Sequence, residues 1–126
     1  MSYIFYNPNP MKKSKNDCVV RAICRVTGLS WHEAYWELCE QGSDMCDMPP
    51  VNSVWGKYLL ENGFTKHTIP DMCPHCYTVN RFCYEHPTGE YILATGAHVI
   101  AVVDGDFYDT ENTGNEVPIY YYKKEH

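Results

Sequence analysis

The sequence predicts an α+β fold, because helix signals fill the first part of the chain and strand signals fill the last third. Helices followed by strands are typical of helices packed on an antiparallel sheet. The length of 126 residues is that of one domain with one hydrophobic core. We therefore expect residues 1–126 to form a single domain, with N-terminal helices packed on a C-terminal antiparallel β-sheet.

The first helix is predicted between a cap at Asn16 or Asp17 and an end at Gly28. Its residues are apolar almost all round, apart from Arg21 and Arg25. A helix of this kind lies in the middle of a domain rather than on its surface.

Three more helices are predicted from their capping residues. Ser30 and Glu33 form a capping box that opens the second helix, which should run to about Gln41 and end at Gly42. The third helix should begin at Asn52 or Ser53 and end at Gly63. The fourth should begin at a Thr78 cap and run to about Glu85.

Strands are predicted at residues 64–69, 91–94, 98–103, 106–110 and 117–122. Asp104-Gly105 is a strong signal for a two-residue hairpin turn. Such a turn would pair Val103 with Asp106, Ile100 with Asp109 and His98 with Glu111. Residues 1–13 contain Asn7-Pro8-Asn9-Pro10 and read as an extended or turning arm.

Composition excludes several classes of function. The net charge of −6 argues against a nucleic-acid partner, which normally requires a basic face. The longest apolar run, residues 98–103, is far shorter than the roughly 20 residues that cross a membrane. The segment Met1–Tyr6 lacks the pattern of a signal peptide, so we expect a cytoplasmic protein. Its seven cysteines should then stay reduced, and an odd number could not all pair in any case.

Cys18 is predicted at the first turn of the central helix, where the helix dipole and free backbone N–H groups stabilise a thiolate. A cysteine on an apolar helix is otherwise buried packing, which is our interpretation of Cys24. His98 and Asp109 should project from one face of the predicted hairpin, close enough for their side chains to meet. An aspartate in that position can orient an imidazole and support its protonated form.

Two blocks of the chain resemble a known family. Asn16-Asp17-Cys18 before an apolar helix, and a histidine opening a strand followed by an aspartate on the next within residues 96–110, resemble compact bacterial papain-like cysteine peptidases. The chain also resembles small phage and prophage proteins that have the same two blocks. The resemblance implies a papain-like fold, with Cys18 as nucleophile, His98 as general base and acid, and Asp109 as the orienting group.

The same resemblance implies a peptide or protein substrate, a thioester intermediate and no cofactor for catalysis. The family often places an oxyanion-hole glutamine five or six residues before the cysteine, where this chain has Lys12 and Lys13. Asn16 could supply the side-chain amide to the oxyanion hole instead. Its alternative role is that of a helix cap.

A second pattern points to a metal. The cysteines and histidine with the spacing C-x2-C-x6-C-x2-H could close a structural zinc site: Cys73, Cys76, Cys83 and His86. Residues 86–91 also make sense as a helix end that turns into a strand, without metal. The remaining cysteines, Cys24, Cys39 and Cys46, are interpreted as packing.

Three functions therefore remain open at this stage. The first is a cysteine hydrolase acting on peptide, isopeptide or other amide bonds. The second is a non-catalytic binding module stabilised by zinc. The third is an inactive papain-fold protein that acts by binding a host component. The sequence gives no indication of the oligomeric state.

Overall fold

The structure is a computed structural model that describes residues 2–14, 16–70 and 77–125, and it has the predicted α+β class. Its elements in chain order are β1 (Tyr3–Phe5), α1 (Cys18–Thr27), α2 (Trp31–Asp44), α3 (Asn52–Glu61), β2 (Phe64–Thr68), α4 (Val79–Glu85), β3 (Glu90–Ala94), β4 (Val99–Val103), β5 (Asp106–Asp109) and β6 (Tyr120–Lys124). Among these residues, none of the helices has the length and apolar character needed to cross a membrane.

The strands form one six-stranded sheet in the order β1-β5-β4-β3-β6-β2. The sheet is mixed, so the prediction of an antiparallel C-terminal sheet is wrong at its edge. β1 comes from the N-terminal arm and pairs parallel to β5, with Tyr3 opposite Phe107 and Phe5 opposite Asp109. A three-residue strand is too short to show the alternation by which strands are identified in a sequence.

The β4–β5 hairpin has the predicted turn and register. Asp104 and Gly105 both have positive φ, at 50° and 83°, as a type I′ turn requires. Val103 lies opposite Asp106. Because the strands are antiparallel, the start of β4 and the end of β5 lie at the same end of the sheet.

Three of the four helices begin at a predicted cap residue, but the N-cap of α3 is Val51, and the predicted Asn52 is its first helical residue. Asp17 is the N-cap of α1, and Gly28 ends the helix with a φ of 78°. Ser30 and Glu33 form the complete capping box of α2. α2 does not end at Gly42, however, but continues to Asp44.

The role of Gly42 is to allow a close backbone approach. A Cβ atom there would lie 2.8 Å from the carbonyl oxygen of Asp47, whose N–H donates to the Gly42 carbonyl at 2.9 Å. The last strand also starts later than predicted, since β6 begins at Tyr120 rather than Val117. Pro118 lies in that interval and has no N–H to donate to a neighbouring strand.

Each face of the sheet carries a hydrophobic cluster. The first cluster joins α1, α2 and α3 to the face that includes Ile92, Val99 and Ala101. The second joins α4 to the opposite face, which includes Leu93 and Ile100. The alternation along β3 and β4 thus buries both faces of the sheet, and α1 packs mainly on β4.

Close packing of α3 on β6 gives a stability prediction. A Cβ at Gly56 would lie 2.5 Å from the Tyr122 hydroxyl oxygen, while the nearest ring carbon is 3.5 Å away. Gly56→Ala should therefore lower the free energy of unfolding, measured in urea, by about 1–3 kcal/mol. Adding Tyr122→Phe removes the clashing oxygen and should restore most of that loss. Equal losses in the single and double variants would contradict this packing.

Candidate active site

The candidate site is built around the start of α1. Cys18 is the first helical residue and is partly buried. The side chain of the N-cap residue, Asp17, makes no capping hydrogen bond to the helix. The backbone N–H groups of the first turn have no intrahelical acceptors, so they are available to an anion placed beside the sulfur.

His98 and Asp109 meet at the end of the hairpin that faces this helix start. His98 directly precedes β4, and Asp109 is the last residue of β5. The His98 Nε2 atom lies 2.7 Å from Oδ2 of Asp109. The predicted pairing of His98 with Glu111 is not formed, because β4 begins only at Val99 and β5 ends at Asp109.

The same imidazole lies beside Cys18, since both residues line the same two pockets, and a hydrogen bond between them is one cause of the shifted pKa of each. Because Nε2 faces Asp109, Nδ1 is the ring nitrogen that can exchange a proton with the sulfur. The structure thus brings together Cys18, His98 and Asp109, three residues from separate parts of the sequence.

The electrostatics of the three groups favour a charged pair. The hydrogen bond to Asp109, together with that to Cys18, raises the pKa of His98 to about 10. Burial opposes ionisation of Cys18, but hydrogen bonds from His98 and from the Val99 backbone N–H bring its pKa below the ordinary 9.0. The charge of Arg21 acts in the same direction. The pair is therefore biased towards thiolate and imidazolium.

Asp109 is held by four donors and is only 1% exposed. Its Oδ2 accepts from His98 and from the Thr113 hydroxyl at 2.8 Å. Its Oδ1 accepts from the Thr110 backbone N–H at 2.7 Å and from Arg21 Nη2 at 3.3 Å. Burial alone would raise the pKa of Asp109, yet the hydrogen bonds from His98, Thr113 and the Thr110 N–H, with the charge of His98, hold it below its usual value.

Sequence reasoning missed Arg21 as a member of this site. The residue is 5% exposed and pairs with Asp17, one helical turn before it, as well as with Asp109. Asp17 also accepts from Asn9 Nδ2 at 3.3 Å and from Trp31 Nε1 at 3.0 Å. The signal was present in the sequence, because a charge on an otherwise apolar central helix must find a buried partner.

Asn16 lies at the rim of the site. It is exposed, its φ is 67°, and it lines a pocket next to Cys18 and His98. The helix N-cap is Asp17, so the alternative role of Asn16 as the cap is not realised.

Two pockets meet at the Cys18–His98 pair. The larger, of about 400 Å³, is open and polar, and its other lining residues are Ser14, Asn16, Arg21, Ala97, Thr110 and Glu111. The smaller, of about 120 Å³, has a partly apolar wall that includes Pro50, Trp55 and Ala94. An extended molecule bound across Cys18 and His98 would thus contact a polar pocket on one side and a partly apolar pocket on the other.

Only two of the four predicted zinc ligands, Cys83 and His86, lie within the described residues. Cys73 and Cys76 lie outside the described residues. Cys83 is buried in the cluster beneath α4, and burial raises its pKa to about 11. His86 stacks on Phe82 with ring centroids 3.9 Å apart. Within the described ranges no group of three or more metal-ligating side chains occurs, and the zinc site stays a prediction.

The other cysteines divide by burial. Cys24 is 2% exposed, as predicted for packing, and burial raises its pKa to about 11. Cys39 is partly buried. Cys46 is exposed, so its interpretation as packing is wrong. It follows α2 in a turn with a φ of 54°, which places it outside the core.

No family model, curated protein or solved structure matches the chain. A function must therefore be argued from the geometry of the site itself.

Proposed function

We propose that the protein is a papain-like cysteine hydrolase that cleaves amide bonds in a peptide or protein substrate through a thioester intermediate. The observation that carries the proposal is the position of His98, which contacts the Cys18 sulfur on one side and Asp109 on the other. A nucleophile, a base within hydrogen-bond reach and a third group that orients the base are the features by which such sites are recognised.

The chemistry assigns one step to each side chain. His98 accepts the Cys18 proton at Nδ1, and the thiolate attacks the carbonyl carbon of the substrate. The C–N bond then breaks as the His98 imidazolium donates its proton to the leaving nitrogen. Water, deprotonated by His98, attacks the resulting thioester. The product acid leaves when that proton returns to the Cys18 sulfur.

The oxyanion is assigned to the start of α1. The uncapped backbone N–H groups at the helix start lie beside the sulfur and carry the positive end of the helix dipole. The Asn16 side-chain amide, at the rim of the polar pocket, is the proposed additional donor. This assignment needs no metal or organic cofactor.

The order of elements supports the papain-like assignment. The nucleophile begins a central helix, the histidine precedes a strand and the aspartate ends the next strand of a hairpin. That order and the placement of the three groups at one end of the sheet agree with what the resemblance of residues 16–18 and 96–110 implies.

Selective alkylation of Cys18 tests the proposed thiolate–imidazolium pair. With limiting iodoacetamide near pH 6, Cys18 should label first in a peptide-mapping mass spectrum, because its pKa is lowered. Cys24, on the same helix with a raised pKa, is the matched control, and the exposed Cys46 controls for access. Labelling of Cys46 before Cys18 would show that exposure alone sets the rate and would contradict the proposal.

Hydrolysis itself is tested with an activated acyl ester. The expected product is a mass increase on Cys18 that decays with time, absent in Cys18→Ser. A stable acyl group that never leaves would instead favour a protein of the same fold that acts by binding.

A further inference from the structure

Arg21 forms a buried bridge that the proposed reaction steps do not use. Its Nη1 pairs with Asp17, the N-cap residue of the nucleophile helix, and its Nη2 pairs with Asp109 at 3.3 Å. All three side chains are at least nine-tenths buried. A planar guanidinium can hold two carboxylates at once, which a lysine ammonium does less well.

The bridge continues into the reactive pair. The charges alternate along a chain of contacts, from Asp17 to Arg21, to Asp109, to His98 and finally to the Cys18 sulfur. The two carboxylate oxygens of Asp109 bind different partners, since Oδ1 accepts from Arg21 and Oδ2 accepts from His98. The helix start and the hairpin end are thereby joined by buried ionic contacts.

We propose that Arg21 is a positioning residue of this site, which fixes the start of α1 against Asp109 and sets the charge balance of the Cys18–His98 pair. This inference rests on the proposed function, because it assumes that the pair is the reactive centre. Arg21 acts through Asp109 and Asp17 and need not touch the substrate.

The charged and titratable groups around the pair define the expected effect. Asp17 is the N-cap residue of α1, Arg21 lies within that helix and Asp109 ends β5. Glu111 lines the polar pocket, and Tyr3 of β1 lies beside Asp109. Removal of the Arg21 cation should make the thiolate less stable, and removal of the Asp17 anion should make it more stable. These two changes break the same ion pair but move the reactivity of Cys18 in opposite directions.

The test is the pH at which Cys18 reaches half its maximal rate of iodoacetamide alkylation. Arg21→Met should move this midpoint to higher pH by on the order of one unit. Asp17→Asn should move it to lower pH. Arg21→Lys keeps the cation without the planar fork, so its midpoint should lie between those of Arg21→Met and the unaltered protein.

Arg25→Met is the matched control. Arg25 lies one turn further along α1 and stacks on Tyr108, with its guanidinium carbon 4.3 Å from the ring centre. Its replacement should leave the midpoint unchanged. A shift equal to that of Arg21→Met would show that any loss of an α1 cation suffices, and would overturn the assignment.

Shifts in the same direction for Arg21→Met and Asp17→Asn would indicate that only the fit of the helix matters, and would also overturn it. If Arg21→Met does not fold, the other two variants decide the matter. A lower midpoint in Asp17→Asn, with a midpoint in Arg21→Lys that rises by less than about one unit, supports the proposal. A higher midpoint in Asp17→Asn, or a rise of about one unit or more in Arg21→Lys, contradicts it. Failure of the proposed function has a separate signature, since Cys18 would then react no faster than Cys46 in the unaltered protein.

Discussion

Replacing His98 with alanine should reduce the hydrolysis rate by about 10²–10⁴-fold, and it should also slow the alkylation of Cys18 at pH 6. The imidazole supplies a hydrogen bond and a positive charge to the sulfur, and without them only the Val99 N–H and the charge of Arg21 oppose the effect of burial on the pKa of Cys18. A thiol with the ordinary pKa of 9.0 is ionised in only about one molecule in a thousand at pH 6. The rate constant for Cys18, measured by mass spectrometry, should therefore fall while those of Cys24 and Cys46 stay the same.

Raising the pH separates this effect from a folding defect. At a pH well above 9, the sulfur of His98→Ala should ionise without help, and its alkylation rate should approach that of the unaltered protein. His67→Ala is a suitable control, because this exposed histidine lies on β2 and stacks on Tyr121, away from the site. An unaltered alkylation rate for Cys18 in His98→Ala at pH 6 would contradict the proposal that His98 activates this cysteine.

Local signals identified the candidate residues but not the face of the sheet on which they lie. The Asp104-Gly105 turn fixes the hairpin register, but the period of two would place His98 and Asp109 on the face of Ile100 and Phe107, which packs on α4 and not on α1. His98 lies just outside β4 and Asp109 is the last residue of β5, where Asp109 pairs with Arg21 of α1. Cys18 follows from the helix cap beside it. Each of these signals spans only a few residues, and the structure places the three side chains together.

The remaining features depend on contacts between distant segments. The parallel pairing of β1 with β5 is stabilised by contacts such as that between Tyr3 and Phe107, whose ring centres are 5.5 Å apart. Nothing within residues 1–13 indicates that β5 is the strand with which β1 pairs. The pairing of Arg21 with Asp109, 88 positions later, is likewise visible only once the helix lies on the sheet. Local patterns therefore predicted the candidate nucleophile and its candidate base, whereas the buried charges that surround them required the tertiary structure.

Replacing Asp109 with alanine should produce the largest loss of stability at this site, about 3–5 kcal/mol in the free energy of unfolding at pH 6. The carboxylate accepts from His98, Thr113, the Thr110 N–H and Arg21, and alanine leaves these donors without their acceptor. Urea unfolding measures the loss. Asp106→Ala is the matched control, since that aspartate lies on the same strand but is partly exposed.

The pH dependence of this loss follows from the sign of each pKa shift. Asp109 has a lowered pKa when folded, so its contribution is present above its ordinary 3.8 and is lost as the pH falls through the folded value. His98 has a raised pKa, so its contribution is complete below 6.5 and disappears as the pH rises towards about 10. The difference between the unaltered protein and Asp109→Ala should thus be largest near pH 5–6 and smaller at both pH 3 and pH 10.

Cys18→Ser provides the background in which to measure this difference, because it removes the titration of the thiol from the comparison. The bond to Asp109, which is the largest cause of the raised His98 pKa, remains in that background. Asp109→Asn should show a smaller loss than Asp109→Ala, since its amide oxygen can still accept a hydrogen bond. A stability difference that does not vary between pH 6 and pH 10 would mean that Asp109 supports the fold without acting on His98. It would thereby remove the orienting residue from the proposed mechanism.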